Sequence, residues 1–353
     1  MRLSFVPLFA VATLASQAMA EVTHYPARGD SPQDLVIYST LDNRVASILI
    51  TAFQATRPDV AVRYEDLLAS DIAARVIAET DAGLASADFV FSSAMDLQLK
   101  LANDGYGQQV EVESATNWPA WTKWQDTAFA LTFEPAVLAY HIPSFPDGPP
   151  RSRLELLDWL AKAPDSLTRR IGTYDIESSA VGYLFIARDA EHFPDIWSLL
   201  RAMSRAGLQT FSTSQGILDL VADGRLVLGY NILGSYAAEQ ARLMPDIGFV
   251  LLRDYTVVVS RIAMVPRAAA RPDLGRAFLA FLMSVEGQTL LSEKLRLPSV
   301  SPEVVGEGSG VAMQRAWGDQ LRPIPVSPGV LAYLDQAKRQ LFLRRWQKAL
   351  ALE

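Results

Sequence analysis

Pairs of hydroxyl residues are the side chains of this 353-residue chain whose types and positions point most directly to ligand binding. They occur where an apolar, strand-like run ends and a helical pattern starts, in the stretches "YSTLDN", "FSSAMD", "TYDIESSAVG" and "TFSTSQG". One hydroxyl per junction is explained by helix capping, because its oxygen accepts a hydrogen bond from a free backbone N–H. The second hydroxyl is left for another partner. Hydroxyls beside the N–H groups of a helix start suit an oxyanion, such as phosphate or carboxylate, or a polyol.

Capping and binding are expected to fall on neighbouring residues of each junction. Ser39–Asp42, Ser93–Asp96 and Ser212–Gln215 have the spacing of a capping box. In "FSSAMD" we expect Ser93 to cap the helix and Ser92 to be the spare donor. The residues predicted to bind the ligand are Ser39, Thr40, Ser92, Ser93 and the backbone N–H of Ala94 from the first half of the chain, and Ser178, Ser179, Ser214, Asn231 and Tyr236 from the second.

Arg261 lies within the extended run "YTVVVSRIAMVP" of the second half. The fork of N–H groups on a guanidinium matches the geometry of phosphate or carboxylate, so Arg261 is a candidate charge partner for an anionic ligand. A surface salt bridge is an equally simple explanation, and the sequence leaves both open.

Catalytic and metal-binding signatures do not occur in the sequence. It contains no GxSxG, GxGxxG, HExxH or nucleotide phosphate-binding loop, and it has no cysteine. The three histidines, His24, His141 and His192, match no metal-ligand spacing. We therefore predict a binding protein rather than an enzyme, with no catalytic residue, metal or cofactor.

The elements that must position the hydroxyl pairs alternate between strand and helix. The strand-like runs "LVIYST", "VAVRY" and "ADFVFSS" are each followed by a helical pattern, and a second alternating series runs from "SRLELLDWLAKA" to "IGFVLL". This pattern predicts two α/β units with parallel strands. The hydroxyl pairs then lie at the carboxyl ends of strands, where ligands of such sheets bind.

Two extended segments, at residues 128–141 and 255–265, separate the α/β units. They predict a chain that leaves the first unit, builds the second and returns, so that the two lobes hinge over a cleft. Lobe 1 is expected to hold residues 30–133 and 263–353, and lobe 2 residues 134–262. Two independent domains in series are the alternative.

Composition limits the partners and the location. The net charge of -7, without basic runs, argues against nucleic acid as a partner. Residues 1–20, "MRLSFVPLFAVATLASQAMA", have a positively charged start, an apolar middle and an Ala-Met-Ala ending, which predict a removable export signal. No later stretch is apolar over the length that a membrane span needs.

Several stretches together resemble the periplasmic solute-binding proteins of ABC importers, in the branch of iron(III)-binding proteins and their relatives for phosphorylated or other anionic solutes. They are "LVIYSTLDN", "ADFVFSSAMDLQLKLANDGY", "FEPAVLAYH", "TYDIESSAVGYLF", "VADGRLVLGYNILGSYA" and "VPRAAARPDLGRAFLAFLMSVEGQTLL". The resemblance implies a type II fold, in which two α/β lobes joined by two crossing segments close over a ligand. It also implies a periplasmic, monomeric protein whose partner is a membrane permease.

The same resemblance bears on the ligand. Iron-binding members present two adjacent tyrosines, whereas Tyr230 and Tyr236 are separated here. We therefore expect a small anionic solute, phosphorylated or carboxylate, with ferric iron as the alternative. Some relatives signal to a sensor kinase instead of a permease, and the sequence does not separate these two outputs.

Overall fold

A computed structural model describes residues 21–29, 32–113, 116–162 and 170–351 of the chain. The predicted export signal, residues 1–20, lies outside the described residues. Among the described helices, none is long and apolar enough to cross a membrane.

The described chain alternates between strands and helices over most of its length. The strands are β1 Glu21–Tyr25, β2 Gln33–Ser39, β3 Val60–Asp66, β4 Phe89–Ser92, β5 Lys123–Trp124, β6 Ala128–Ala130, β7 Glu134–His141, β8 Ile171–Tyr174, β9 Gln209–Phe211, β10 Leu228–Leu233, β11 Ile247–Val250, β12 Thr256–Val259, β13 Ile262–Met264 and β14 Leu321–Pro323. The α-helices are α1 Asn43–Thr56, α2 Ala69–Asp81, α3 Met95–Asn103, α4 Arg153–Ala161, α5 Ala180–His192, α6 Ile196–Arg205, α7 Ser214–Ala222, α8 Gly234–Leu243, α9 Pro272–Met283, α10 Val285–Thr289, α11 Gly310–Trp317 and α12 Gln336–Leu350.

The first sheet has the strand order β1-β3-β2-β4-β13-β6-β5. β2 runs parallel to both β3 and β4, while β13 is antiparallel to its neighbours β4 and β6. All four residues of β4 are buried, so this central strand is covered on both faces, as its unbroken apolar run predicts. The predicted βαβαβα arrangement of the first unit is confirmed.

The second sheet repeats this arrangement with other segments of the chain. Its order is β14-β12-β7-β10-β8-β9, and β11 also pairs with β7. β8 is parallel to β9 and β10, while β7 is antiparallel to β10 and β12. Each sheet therefore has three parallel strands in the order second, first, third, followed by an antiparallel strand; in the first sheet this strand, β13, comes from late in the chain, and in the second it is β7, which precedes the three parallel strands. This is a structural repeat that the sequence does not reveal as a repeat of residues.

From β1 to β13, the chain crosses between the two sheets at residues 131–133 and 260–261, within the two predicted crossings. The crossings lie side by side. The Leu131 N–H donates to the Arg261 carbonyl at 3.0 Å, and the Arg261 N–H donates to Thr132 Oγ1 at 2.8 Å. These bonds tie the two crossings into one short hinge, and the predicted architecture of two lobes joined by two crossings is confirmed.

The C-terminal part of the chain follows a path that the sequence did not predict. The segment from residue 328 to 350 begins as a short 3-10 helix, Pro328–Leu334, and α12 starts only at Gln336. The 3-10 helix contacts α3 of the first lobe, and α12 packs on α6 of the second. β14, which falls in the span assigned to lobe 1, pairs with β12 of the second sheet. The proposed lobe boundaries of residues 30–133 plus 263–353 and 134–262 stay a prediction.

A buried network of polar side chains fixes the second lobe between α4, α5 and β10. The Asp189 carboxylate accepts hydrogen bonds from Arg153 (2.7 Å), Tyr255 (2.7 Å), Tyr230 (2.6 Å) and Asn231 (2.7 Å). Arg153 also donates to the Tyr230 hydroxyl and to the Tyr255 carbonyl, both at 2.9 Å. Both charges of the pair are almost fully buried, and each is satisfied by several partners, which is the condition under which a buried ion pair is tolerated.

Loss of this buried pair is expected to destabilise the second lobe strongly. Asp189→Asn leaves the Arg153 charge buried and uncompensated, so we expect a loss of about 3 to 5 kcal/mol in the free energy of unfolding. Asp223→Asn, which breaks the exposed pair with Arg225, is the control and should cost at most about 1 kcal/mol. Urea denaturation measures both variants. Equal urea midpoints for the two would show that the network does not hold the lobe.

Candidate functional site

The carboxyl ends of strands of both sheets face each other beside the hinge. β2 and β4 end there in the first lobe and lead into α1 and α3, while β9 and β10 end there in the second lobe and lead into α7 and α8. Two contacts join the lobes across it. The Tyr236 hydroxyl donates to the Asp42 carboxylate, and Arg44 lies 3.6 Å from Glu239. The site is thus a cleft between the lobes, closed at the edge formed by α1 and α8.

Arg261 lies at the floor of this cleft, in the second crossing. Its side chain is 1% exposed, and Nε lies 3.1 Å from Glu134 Oε1 in an ion pair that lacks hydrogen-bond alignment. Nη1 donates to Thr40 Oγ1 of the first lobe at 3.4 Å, and the guanidinium lies 5.8 Å from the ring centroid of Tyr236 in the second. The surface salt bridge considered from the sequence is therefore wrong, because this cation is buried between the lobes.

Both titratable donors of the floor keep their protons at neutral pH. Burial disfavours the charged form of Arg261, but Glu134, Tyr236 and Asp42 together outweigh it, so the pKa of the guanidinium is raised above its ordinary value. Burial also raises the pKa of the Tyr236 phenol; Arg261 partly opposes this and Asp42 adds to it. The floor therefore presents a guanidinium and a neutral phenol to the cleft.

Glu134 links Arg261 to the hinge and to α8. Its carboxylate is fully buried; Oε1 accepts from the Thr132 hydroxyl at 2.8 Å, and Oε2 accepts from the Ser235 hydroxyl. Ser235 reaches this position because α8 opens with Gly234, where an added Cβ would lie 2.8 Å from the Pro135 carbonyl oxygen. Sequence reasoning did not select Glu134, although an isolated acid opening the apolar run "EPAVLAYH" indicates a buried pair.

Thr40 is the predicted site residue that contacts Arg261 most directly. Its hydroxyl oxygen accepts from the Arg261 guanidinium at 3.4 Å and from the Ser93 N–H at 3.3 Å. A hydroxyl has two acceptor positions and one hydrogen. Since both acceptor positions are occupied, the Thr40 hydrogen is free to be donated to a ligand, and no described residue accepts it.

The two serines of "FSSAMD" have the opposite roles to those expected. Ser92 is fully buried, and its Oγ accepts from the Ala94 N–H at 3.2 Å. Ser93 is half-buried, no described residue bonds its hydroxyl, and α3 has Ala94 at its N-cap position and no side-chain cap. The expectation that Ser93 caps the helix and Ser92 is spare is therefore wrong. The turn at the end of β4 places the Ser92 oxygen next to the N–H of Ala94, two residues further along the chain.

The other predicted capping boxes also differ. Ser39 is buried; it accepts from the Leu41 N–H at 3.0 Å and donates to the Phe91 carbonyl at 2.9 Å, so it joins β2 to β4 rather than capping α1. At α7 the cap is Thr213, which accepts from the Gly216 N–H at 3.2 Å, and not Ser212. The N-cap is therefore displaced from its predicted position by one residue at α7, to Thr213, and by three residues at α1, to Asp42.

In the second lobe, Ser214 contacts the cleft floor through Tyr174. The two hydroxyls lie 2.5 Å apart, and Tyr174 accepts from the Leu233 N–H at 3.4 Å, which brings the starts of α7 and α8 together. Ser179 caps α5 by accepting from the Gly182 N–H at 3.2 Å, and the exposed Ser178 donates to Asp175 at 3.0 Å. Both α5 serines therefore have local partners.

Asn231 and Tyr230 point away from the floor. The Asn231 amide and the Tyr230 hydroxyl both bind Asp189 in the buried network of the second lobe. Asn231 has a φ of 59°, in the left-handed region that Asn tolerates better than most residues, and it lies where the pairing of β10 with β7 shifts register. Its assignment as a ligand residue stays a prediction, although its side-chain amide is already engaged.

Metal ligands are not grouped in the described residues: no three His, Asp or Glu side chains there are placed to hold a metal ion together. Burial and Asp189 raise the pKa of the Tyr230 phenol, against the opposing effect of Arg153, so that this tyrosine resists forming the phenolate that ferric iron requires.

A small cavity of about 100 Å³ adjoins the floor between α1 and α8. Ser235 and Tyr236 form part of its wall, and its remaining lining is mixed: Leu41, Arg44, Val45, Ile48, Gln215, Glu239, Gln240, Lys294, Leu295 and Leu297. The structure therefore brings together four residues selected from the sequence: Thr40, Ser93, Tyr236 and Arg261. Asp42 and Glu134 lie next to them and were not selected as site residues. Ser178, Ser179 and Asn231 are engaged elsewhere.

Known proteins share this architecture. A crystal structure of the substrate binding protein of an ABC transporter from Agrobacterium tumefaciens is 54% identical, with a TM-score of 0.91, covering 95% of this chain and 100% of that one. The periplasmic binding protein AfuA from Actinobacillus pleuropneumoniae, with fructose-6-phosphate bound, is 15% identical (TM-score 0.74; 91% and 99% covered). Iron-bound HitA from Pseudomonas aeruginosa is 16% identical (TM-score 0.69; 90% and 99% covered).

The structural likeness confirms the type II periplasmic-binding-protein fold that the sequence resemblance implied. No curated protein sequence matches the chain significantly. The family description that matches residues 49–316, more than half of the chain, is that of a bacterial extracellular solute-binding protein. Two lobes with a hinge and a polar cleft between them are what such a role requires, and the chain belongs to the family of bacterial extracellular solute-binding proteins.

Proposed function

We propose that this protein is the substrate-binding component of an ABC transporter and captures a small anionic solute, phosphorylated or carboxylate, between its lobes in the periplasm. The observation that carries the proposal is the position of Arg261, a buried cation that contacts Thr40 of the first lobe and the ring of Tyr236 of the second. The 54% identity to an ABC transporter's substrate binding protein supports the transport role.

Two kinds of donor surround the proposed ligand position. The Thr40 hydroxyl hydrogen and the hydroxyl of Ser93 face no described acceptor, whereas the phenolic hydrogen of Tyr236 is donated to Asp42. The starts of α3, α7 and α8 add backbone N–H groups and a partial positive charge. Because Glu134 balances the Arg261 charge, the ligand's charge is met mainly by dipoles and hydrogen bonds.

Hinge closure follows from the same contacts. In the conformation described, Tyr236 and Asp42 bridge the lobes, as do Arg44 and Glu239. A ligand that bonds Thr40 of the first lobe and the N–H groups at the starts of α7 and α8 of the second favours the closed form over the open one, because only the closed form offers both sets of donors. The family consists of binding proteins, so the cycle needs no bond making.

Ferric iron is the alternative that the ligand screen must test. Among the structural relatives, one is described with fructose-6-phosphate and another with iron. At 15% and 16% identity, these two relatives support the fold alone. Tyr230, the tyrosine nearest in sequence to Tyr236, is engaged by Arg153 and Asp189, which favours the anion.

A thermal-shift screen is the first test of the anion proposal. Purified protein is heated with fructose 6-phosphate, inorganic phosphate, small carboxylates, fructose and ferric iron. We expect at least one anion to stabilise the protein, by about 2.7 kcal/mol at 100 times its dissociation constant, and the neutral sugar to have no effect. Stabilisation by ferric iron alone, with the visible colour of a tyrosinate complex, would show that the anion assignment is wrong.

The Thr40 hydroxyl gives a residue-level test with a matched pair of variants. Thr40→Val keeps the shape of the side chain but removes the free hydrogen, so binding of the anion found in the screen should weaken by about 10- to 100-fold. Thr40→Ser keeps the hydroxyl and should bind nearly as the parent does. Isothermal titration calorimetry measures both. If Val and Ser at this position bind equally well, Thr40 does not contact the ligand.

The two serines of "FSSAMD" should respond in opposite ways to removal of the hydroxyl. Ser92→Ala removes a buried bond to the Ala94 N–H and should cost about 1 kcal/mol of stability in urea denaturation. Ser93→Ala removes a hydroxyl without a described partner, so stability should be unchanged while affinity for the anion falls several-fold. An unchanged affinity for Ser93→Ala would remove this residue from the site.

A further inference from the structure

Two neighbouring helices on the second lobe carry positive charges and no negative ones. α6 contains Arg201 and Arg205, and neither α6 nor α12 contains Asp or Glu. α12, which packs on α6, contains Lys338, Arg339, Arg344, Arg345 and Lys348. The whole chain has a net charge of -7, so these helices contrast sharply with the rest. The sequence prediction of no basic runs overlooked them, because the cations are spaced along two helices that are distant in the chain.

The exposed cations form one surface, which we call the basic face: Lys338, Arg344, Arg345 and Lys348 of α12 with Arg201 and Arg205 of α6. α12 turns Trp346 and Ala349 inward, and this leaves the cations on its outer side at helical spacing. Arg201, Arg205, Arg345 and Lys348 line a groove of about 500 Å³ between the helices. The guanidinium of Arg345 lies 4.3 Å from the ring centroid of the buried Trp197, which holds it at the groove.

The charges of the basic face are not neutralised within the described residues. The ion pairs among the described residues involve other cations, such as Arg188, Arg242 and Arg261. Arg201 donates only to the Ser198 hydroxyl, at 3.0 Å. Like charges at this spacing repel one another, so an external anionic partner would relieve a repulsion that the fold itself leaves in place.

We propose that the basic face docks the protein on a membrane surface through the phosphate groups of anionic phospholipids. A helix of 15 residues is about 22 Å long, so cations along α12 extend over more than one small anion covers. A protein partner would need an apolar centre in the interface. Trp197 and Trp346 are buried, and Leu341 is the large apolar side chain that the described parts of α6 and α12 expose.

The negative charge of the rest of the molecule gives such docking a defined orientation. The net negative charge of the chain is repelled by an anionic membrane, whereas this one face is attracted. Electrostatic attachment without insertion of apolar side chains is reversible and is screened by salt. The proposal depends on the charge distribution alone and does not rest on the ligand proposed for the cleft.

Vesicle sedimentation tests the docking with two triple variants of equal charge change. Arg201→Gln, Arg205→Gln and Lys348→Gln together remove half of the basic face. Arg225→Gln, Arg253→Gln and Arg315→Gln together remove three exposed cations elsewhere. Parent and control should sediment with phosphatidylglycerol vesicles, less with phosphatidylcholine vesicles, and be released by high salt. The basic-face variant should bind phosphatidylglycerol on the order of 100-fold more weakly.

Several results would overturn the proposal. They are equal sedimentation of the two triple variants, no preference of the parent for phosphatidylglycerol, and binding that high salt does not release. Capture of the parent by immobilised polyglutamate without sedimentation on vesicles would instead assign the face to an acidic protein. Thermal unfolding shows whether each triple variant is folded. If one of them is not folded, the release of the parent protein from phosphatidylglycerol vesicles by high salt decides the outcome.

Discussion

The buried pair of Arg261 and Glu134 is the interaction on which the cleft depends. Two charges are removed from water at the point where the chain passes between lobes, and this is tolerated only because each is paired and hydrogen-bonded. Glu134 binds the Thr132 hydroxyl of one crossing and Ser235 of α8, while Arg261 belongs to the other crossing and reaches Thr40. The pair therefore joins both crossings to both lobes.

Much of this architecture could be predicted from the sequence, because the alternation of strand and helix is a local pattern. The hydroxyl pairs at strand ends could also be recognised from short stretches of sequence. Thr40 and Tyr236, which were selected from such stretches, do lie at the cleft. The partners could not be predicted, since Glu134 and Arg261 are far apart in the chain, and so are Asn231 and Asp189. The roles of Ser92 and Ser93 were exchanged because a shift of one residue in the turn decides which oxygen meets an N–H.

The two anion-binding surfaces that we propose differ physically. At the cleft floor, the guanidinium is already balanced by Glu134, and neutral hydroxyls and helix starts face the space between the lobes. Interactions there are buried and are screened little by salt. On α6 and α12, the cations are exposed and lack carboxylate partners among the described residues. Attraction to that face depends strongly on ionic strength, so salt concentration separates the two kinds of anion binding in one sample.

The exchange of strands between the sheets also dictates when the protein can fold. β13, which lies between β4 and β6 of the first sheet, comes after every strand of the second sheet except β14. Until residues 262–264 have been synthesised, β4 and β6 lack the strand that joins them, and each presents an open backbone edge. The first sheet therefore does not mature as a separate early domain, and it stays incomplete until most of the chain has been made.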